Sequence, residues 1–185
     1  NNLLFAQIGY ARAAQLGNPI AIGRYWFLDY KENPGRALEM LAKESSAGNP
    51  WGDYFLGEIF SGTTYSDARN VKKAENSYLQ AKEEGIAAAG FSLGKMYSEI
   101  KDFPNALEWF NEASSTFPNA FAEIGLMYQR GDGNSKDINK AIEFYKKGSE
   151  QGSKKAERIL ASLSDKRSLP SQQTVNSNQA PQQAT

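Results

Sequence analysis

The chain has 185 residues, of which 40% are hydrophobic and 23% are charged, and its 21 basic and 21 acidic residues give a formal net charge of zero. This apolar content supports a folded core, whereas a neutral chain lacks the long-range field that attracts nucleic acid or anionic lipid. Histidine and cysteine are absent from the sequence, which excludes imidazole bases, thiolate nucleophiles, disulfides and the usual zinc ligands. No run approaches the ~20 apolar residues of a membrane-spanning helix, so we expect no membrane insertion.

Two short patterns recur along the chain and predict repeated pairs of helices. The first joins Leu or Ile to a glycine and is centred on Gly57, Gly94 and Gly125. The second places a glycine eleven residues after an alanine. Its copies are Ala6/Gly17, Ala37/Gly48, Ala74/Gly85 and Ala141/Gly152, and a further copy has Phe117 in the glycine place after Ala106. The alanines recur roughly every 34 residues, which is the period of a helix–turn–helix repeat.

Each pattern has a mechanical reason. The first sets large apolar side chains on one stripe of a helix that we name helix A, and its glycine leaves room for a neighbouring helix to approach. The second describes the following helix B, in which the small alanine allows close packing. An aromatic residue four positions later, Phe110 or Tyr145, fills a gap in the array. The closing glycine is typical of the end of a helix.

These patterns divide the chain into one array over residues 1–166 and a polar tail over residues 167–185. In order, the array contains a half repeat at 1–17, repeats at 18–48, 49–85, 86–117 and 118–152, and a capping helix at 153–166. Because the half repeat consists of helix B alone, we expect the array to continue upstream or something else to cover that end. The tail is rich in Gln, Asn, Ser and Pro, so its composition predicts disorder, with docking on its own groove as the alternative.

The composite pattern resembles the Sel1-like repeat family, a relative of the tetratricopeptide repeat. The fourth repeat carries it most fully, with Ile124-Gly125-Leu-Met-Tyr128, then the turn 130–133, then 137–141 and Tyr145 to Gly152. Repeat 18–48 departs most, since Tyr25-Trp26 stands where Leu-Gly is expected. The resemblance implies an all-α, right-handed superhelical solenoid of paired antiparallel helices with the A helices lining the concave face. It also implies an adaptor or scaffold, often bacterial and often in the cell envelope.

Aligning the A helices selects eight side chains as candidates for binding a partner in the concave groove. Aromatic side chains are the usual anchors of protein interfaces, and the alignment makes the groove aromatic toward the N-terminus and mixed polar toward the C-terminus. The candidates are Phe27, Tyr30, Tyr54, Glu58, Phe91, Lys95, Leu126 and Gln129. In the alternative interpretation, Phe27, Tyr54 and Phe91 pack between adjacent A helices as core.

Residues that could support chemistry have simpler explanations. Asp132-Gly133 with Asp137 lacks the spaced ligands and closing glutamate of a calcium loop, so a turn is favoured. Ser153 has no base in its motif, and carboxylate pairs such as Glu83/Glu84 are typical of a solvated helix face. The sequence therefore predicts no catalytic residue, no cofactor and no metal. Residues 136–167 contain more basic than acidic side chains, and we interpret this excess as a solvated helix face too.

The sequence thus predicts a non-catalytic scaffold that binds a protein or peptide partner and does not bind nucleic acid. It does not determine the oligomeric state. The resemblance favours the periplasm or cell envelope, with the cytoplasm as the alternative, and assembly of the envelope as the task. Two further functions stay open: an immunity protein that neutralises a secreted toxin or effector, and a regulatory subunit of an enzyme complex. An immunity partner should bind much more tightly than an assembly partner.

Overall fold

The computed structural model describes the backbone of residues 2–168 and the side chains of residues 5–67 and 69–164. The predicted tail beyond residue 168 lies outside the described residues. Ten α-helices follow one another in the described part, where no strand occurs. They are α1 (Asn2–Gln15), α2 (Pro19–Asp29), α3 (Pro34–Ser46), α4 (Pro50–Phe60), α5 (Val71–Glu83), α6 (Ala88–Glu99), α7 (Phe103–Ala113), α8 (Asn119–Arg130), α9 (Ile138–Glu150) and α10 (Lys154–Ser168), with a 3-10 turn at Ser66–Ala68 before α5.

Consecutive helices pack against each other along the whole array, with the closest pairs formed by α4 with α5, α6 with α7 and α8 with α9. The even-numbered helices are the A helices and the odd-numbered ones the B helices. The predicted all-α solenoid is confirmed.

The starts of the helices are fixed by side chains that accept hydrogen bonds from exposed backbone N–H groups. Asn18 and Asn70 accept from the third residue of the helix that follows, and Asp137 does so before α9, with a distance of 2.9 Å to the Lys140 nitrogen. Asp137 is therefore a helix cap rather than part of a metal loop. Gly48 and Gly152 end α3 and α9 with φ angles of 81° and 90°, a conformation that costs glycine little.

In the repeats at 49–85, 86–117 and 118–152, a glycine of helix A packs against an aromatic ring of helix B. A Cβ built on Gly57 would lie 2.6 Å from the Tyr78 ring, and one built on Gly125 would lie 2.4 Å from the Tyr145 ring. Both rings are buried. The glycine of the first pattern is thus required because the ring of helix B occupies the space of a side chain.

The N-terminal end of the array leaves large apolar side chains uncovered. Phe5 is 72% exposed and Leu16 is 83% exposed, and Ile8 and Ile20 are also exposed. Helix α1 packs against α2.

Asp53 lies in α4 with only 8% of its surface exposed, and its Oδ2 atom has no hydrogen-bond partner among the described residues. Burial raises the pKa of this carboxyl, a hydrogen bond with Ser45 lowers it, and the charge of Glu84 raises it. Because the folded-state pKa is raised, Asp53 contributes stability below the pKa of the unfolded chain, and this contribution is lost as the pH rises through the folded pKa. Above the folded pKa, the buried charge of Asp53 therefore destabilises the fold.

Asp53→Asn should raise the melting temperature at pH 7, because it removes the buried charge while keeping the shape of the side chain. The gain should shrink as the pH falls into the range where Asp53 takes up a proton. Thermal unfolding followed by circular dichroism at several pH values measures both effects. Glu39→Gln, at an exposed position of α3, is the control, and a lower melting temperature of Asp53→Asn at pH 7 would contradict the assignment.

Candidate partner-binding surface

The two N-terminal groove candidates, Phe27 and Tyr30, lie in the core, with 5% and 7% of their surfaces exposed. Tyr65, in the segment between α4 and α5, covers them. Its ring centroid lies 5.4 Å from that of Phe27 and 4.7 Å from that of Tyr30, and its hydroxyl donates to the Phe27 carbonyl oxygen at 3.0 Å. These two aromatic side chains stabilise the fold and are not accessible to a partner.

Tyr54 and Glu58 belong to a polar network that joins α4, α5 and α6. Glu58 Oε1 accepts hydrogen bonds from the hydroxyls of Tyr78 and Ser92, both at 2.8 Å. The Tyr54 and Ser92 hydroxyl oxygens are 3.3 Å apart. Burial, followed by the negative charge of Glu58, raises the pKa of Tyr54 to about 12. The Glu58 carboxylate is therefore committed to internal hydrogen bonds.

Gln129 has a comparable role in the fourth repeat. Its Oε1 accepts a hydrogen bond from the Tyr145 hydroxyl at 2.6 Å, and burial raises the pKa of Tyr145 to about 12. In the intervening repeat the corresponding ring is Phe110, which has no hydroxyl and needs no acceptor. Glu58 and Gln129 thus serve as hydrogen-bond acceptors for tyrosine hydroxyl groups of the B helices.

Phe91 is half-buried and packs within the array. Its ring centroid lies 5.7 Å from that of Phe110 and 6.0 Å from that of Phe117, which is within the range of favourable aromatic pairs. Phe91 thus anchors α6 to α7 and to the turn before α8. Phe91 and Tyr54 keep part of their surfaces accessible.

Lys95 and Leu126 occupy equivalent positions on α6 and α8. Lys95 is exposed, and its side chain makes no ion pair with another described residue. Leu126 is half-buried and lines a pocket between α8 and α10. Of the eight candidates, Lys95 is thus the one that is exposed, and Leu126 is the one that lines this pocket.

The pocket between α8 and α10 is an open depression of about 770 Å³. Leu126 and Ile159 contribute apolar surface to it, and Arg130 from α8 lies at the same opening. From α10 come Lys154, Lys155 and Arg158. Sequence reasoning missed these basic residues, although the basic excess of residues 136–167 was a signal that pointed to the right part of the chain.

Helix α10 is fixed on α8 by contacts at its N-terminus. The Ser153 hydroxyl donates to Asn119 Oδ1 at 2.6 Å and accepts from the Ala156 backbone nitrogen at 3.2 Å. Lys155 Nζ lies 2.6 Å from Glu123 Oε1. The pocket therefore has a preformed wall on each side.

The described residues contain no cluster of acidic side chains that could hold a metal ion. Among these same residues, no helix combines the length and apolar character needed to cross a membrane.

Comparison with known proteins rests on solved structures, since no family model matches the chain. A protective antigen of uropathogenic Escherichia coli, which displays a Sel1-like repeat (SLR) fold, has 27% sequence identity and a TM-score of 0.59 over 85% of this chain and 36% of its own. A Sel1 repeat protein from Oxalobacter formigenes has 23% identity and a TM-score of 0.60 over 80% of this chain and 64% of its own. The chain thus spans about a third of the first protein and less than two thirds of the second. Because the structure matches these two proteins over most of the chain, with its ten described helices packed in consecutive pairs, the protein has the Sel1-like repeat fold.

Proposed function

We propose that this protein is a non-catalytic scaffold that binds a partner protein or peptide on the surface of its A helices, centred on Lys95, Leu126 and the pocket between α8 and α10. The observation that carries the proposal is that pocket. It joins an apolar floor to several charged side chains, a combination that is typical of binding sites. The Sel1-like repeat fold, which typically serves protein interaction and is generally non-catalytic, supports it.

The proposed site contains fewer residues than the groove that the sequence predicts. Phe27 and Tyr30 are buried, and Glu58 and Gln129 are held by tyrosine hydroxyls. The proposed contact surface therefore lies on α6, α8 and α10 rather than along the whole array. Tyr54 is half-buried, so only the accessible edge of its ring belongs to the proposed contact surface.

We further propose that the protein acts in the assembly of the bacterial cell envelope. Both structural neighbours come from bacteria, and one of them is a protective antigen. These facts favour the envelope fraction as the first place to search for the partner protein, and they do not identify that protein. The measured affinity distinguishes this task from toxin neutralisation, for which dissociation constants far below the nanomolar range are expected.

Lys95→Glu should weaken capture of the partner from an envelope extract by about tenfold or more, since it reverses a charge on the α6 part of the proposed surface. The variant should keep the helicity of the wild type because Lys95 is exposed. Affinity purification with quantitative mass spectrometry compares the two chains. Lys146→Glu, an equal change on the exposed face of α9, is the matched control. If both variants lost the partner equally, or if both retained it, the proposed site would be contradicted.

A further inference from the structure

The pocket between α8 and α10 concentrates positive charge in a chain whose formal net charge is zero. Four of its lining residues are basic and none is acidic: Arg130, Lys154, Lys155 and Arg158. The excess is thus a local property of this surface. A local field of one sign favours ligands of the opposite sign.

The two lysines are already engaged. Lys155 forms its ion pair with Glu123 at 2.6 Å, and Lys154 Nζ lies 3.7 Å from Glu157 Oε2. The Lys154 pair is exposed and contributes little to stability. Because these two carboxylates offset the charges of the lysines, the positive field and the free donors of the pocket must come from its other basic groups.

The two arginines supply these donors. Neither Arg130 nor Arg158 forms an ion pair with another described residue, and both are exposed at the opening. A guanidinium group presents paired N–H donors that match the two oxygens of a carboxylate. The arginines come from neighbouring A helices, so one ligand can contact both helices.

The apolar part of the pocket restricts the ligand further. Leu126 and Ile159 lie beside the arginines, and both pack against the buried cluster that contains Ala122 and Tyr145. A ligand that fits this lining carries carboxylates next to an apolar group. The open volume of about 770 Å³ leaves room for a segment of chain and is larger than a single small anion needs.

We infer that this pocket binds an acidic, extended segment of the partner protein, with the Arg130 and Arg158 guanidinium groups as donors to its carboxylates; this inference rests on the proposed function. Residues 169–185 contain neither Asp nor Glu, so their side chains do not supply such a segment.

The probe is a fluorescein-labelled peptide of six glutamates with a central leucine, compared with the same peptide built on glutamine. By fluorescence anisotropy at low ionic strength, the wild-type chain should bind the glutamate peptide at least tenfold more tightly. Arg130→Gln/Arg158→Gln should lose this preference. Lys43→Gln/Lys146→Gln removes the same charge from exposed positions of α3 and α9 and should keep it. Added salt should weaken binding.

Several outcomes would overturn the inference. Equal loss in both double variants would show that only net charge matters. Displacement of the glutamate peptide by inorganic phosphate at equal concentration would make the site a phosphate site. Arginine-dependent binding to phosphatidylglycerol vesicles, with no binding of the glutamate peptide, would assign the arginines to a lipid surface.

The same variants separate this inference from the proposed function. If the glutamate peptide does not bind while Lys95→Glu still abolishes capture of the partner, the inference fails and the proposed function stands. If the glutamate peptide binds through the arginines while Lys95→Glu leaves capture intact, the pocket assignment is supported and the wider A-helix surface is refuted.

Discussion

Gly94→Ala should lower the free energy of unfolding by about 1–2 kcal/mol. A Cβ at this position of α6 would lie 2.6 Å from the Phe110 ring, and that ring is buried, so it has no free space into which to move. Overpacking of this kind costs about 1–3 kcal/mol, and the better helix propensity of alanine offsets up to about 1 kcal/mol. The melting temperature should fall by several degrees.

Gly90 provides a matched control in the same helix. A Cβ built there has only one neighbour within 4 Å, the Trp109 ring at 3.9 Å, which is an ordinary contact. Gly90→Ala should therefore stabilise the chain by up to about 1 kcal/mol. Chemical denaturation monitored by circular dichroism measures both variants. If the two substitutions changed stability equally, close packing of glycine on the ring of helix B would not explain the repeat pattern.

Glu58→Ala should cost about 2–3 kcal/mol, although Glu58 is only partly buried. The substitution removes the acceptor of the Tyr78 and Ser92 hydroxyls, and a buried hydroxyl left without a partner costs about 1–3 kcal/mol. Ser92 can still pair with Tyr54, so the penalty should fall mainly on Tyr78. Denaturant unfolding measures the loss.

A double-mutant cycle assigns this cost to the hydroxyl group. In a Tyr78→Phe background, Glu58→Ala should be milder by about 1 kcal/mol or more, because no hydroxyl then needs an acceptor. Phe110 already occupies the corresponding place in α7, so the fold accepts phenylalanine there. Glu58→Gln retains an acceptor oxygen and should cost less than Glu58→Ala. Additive effects in the cycle would show that Glu58 and Tyr78 are not energetically coupled and would contradict this assignment.

The repeat period and the alternation of A and B helices were readable from the sequence because they depend on local patterns. Gly94 and Ala106, for example, mark the sites where α6 and α7 approach closely, and a small residue at such a contact is visible in one dimension. The glycine ends of α3 and α9 were readable for the same reason. These features depend on the backbone rather than on the orientation of a particular side chain.

The candidate site was harder to predict because it depends on segments outside the repeat pattern. Tyr65, which covers Phe27 and Tyr30, comes from the divergent segment after α4, where the alignment gives no guide. The choice of Glu58 as acceptor for Tyr78 depends on the angle between neighbouring helices, which periodicity does not contain. An alignment of equivalent positions therefore selected side chains that support the core together with side chains that face solvent.

The basic pocket was missed for a related reason. Arg130 and Arg158 lie on either side of α9 in the sequence, and only the packing of α10 on α8 brings them to one opening. The basic excess of residues 136–167 indicated positive charge in this part of the chain. It did not show that basic side chains from two helices meet at one pocket.

The most direct test of the A-helix surface is site-specific photocrosslinking in the native organism. Benzoylphenylalanine replaces Lys95 or Lys154 on the A helices, or Lys43 or Lys146 on the B helices, and all four positions are exposed. After irradiation, adducts are resolved by mass spectrometry. A single partner crosslinked from positions 95 and 154 and absent from positions 43 and 146 is the result that we predict. The same partner crosslinked only from positions 43 and 146 would show that the B helices form the binding surface and would contradict the proposed function.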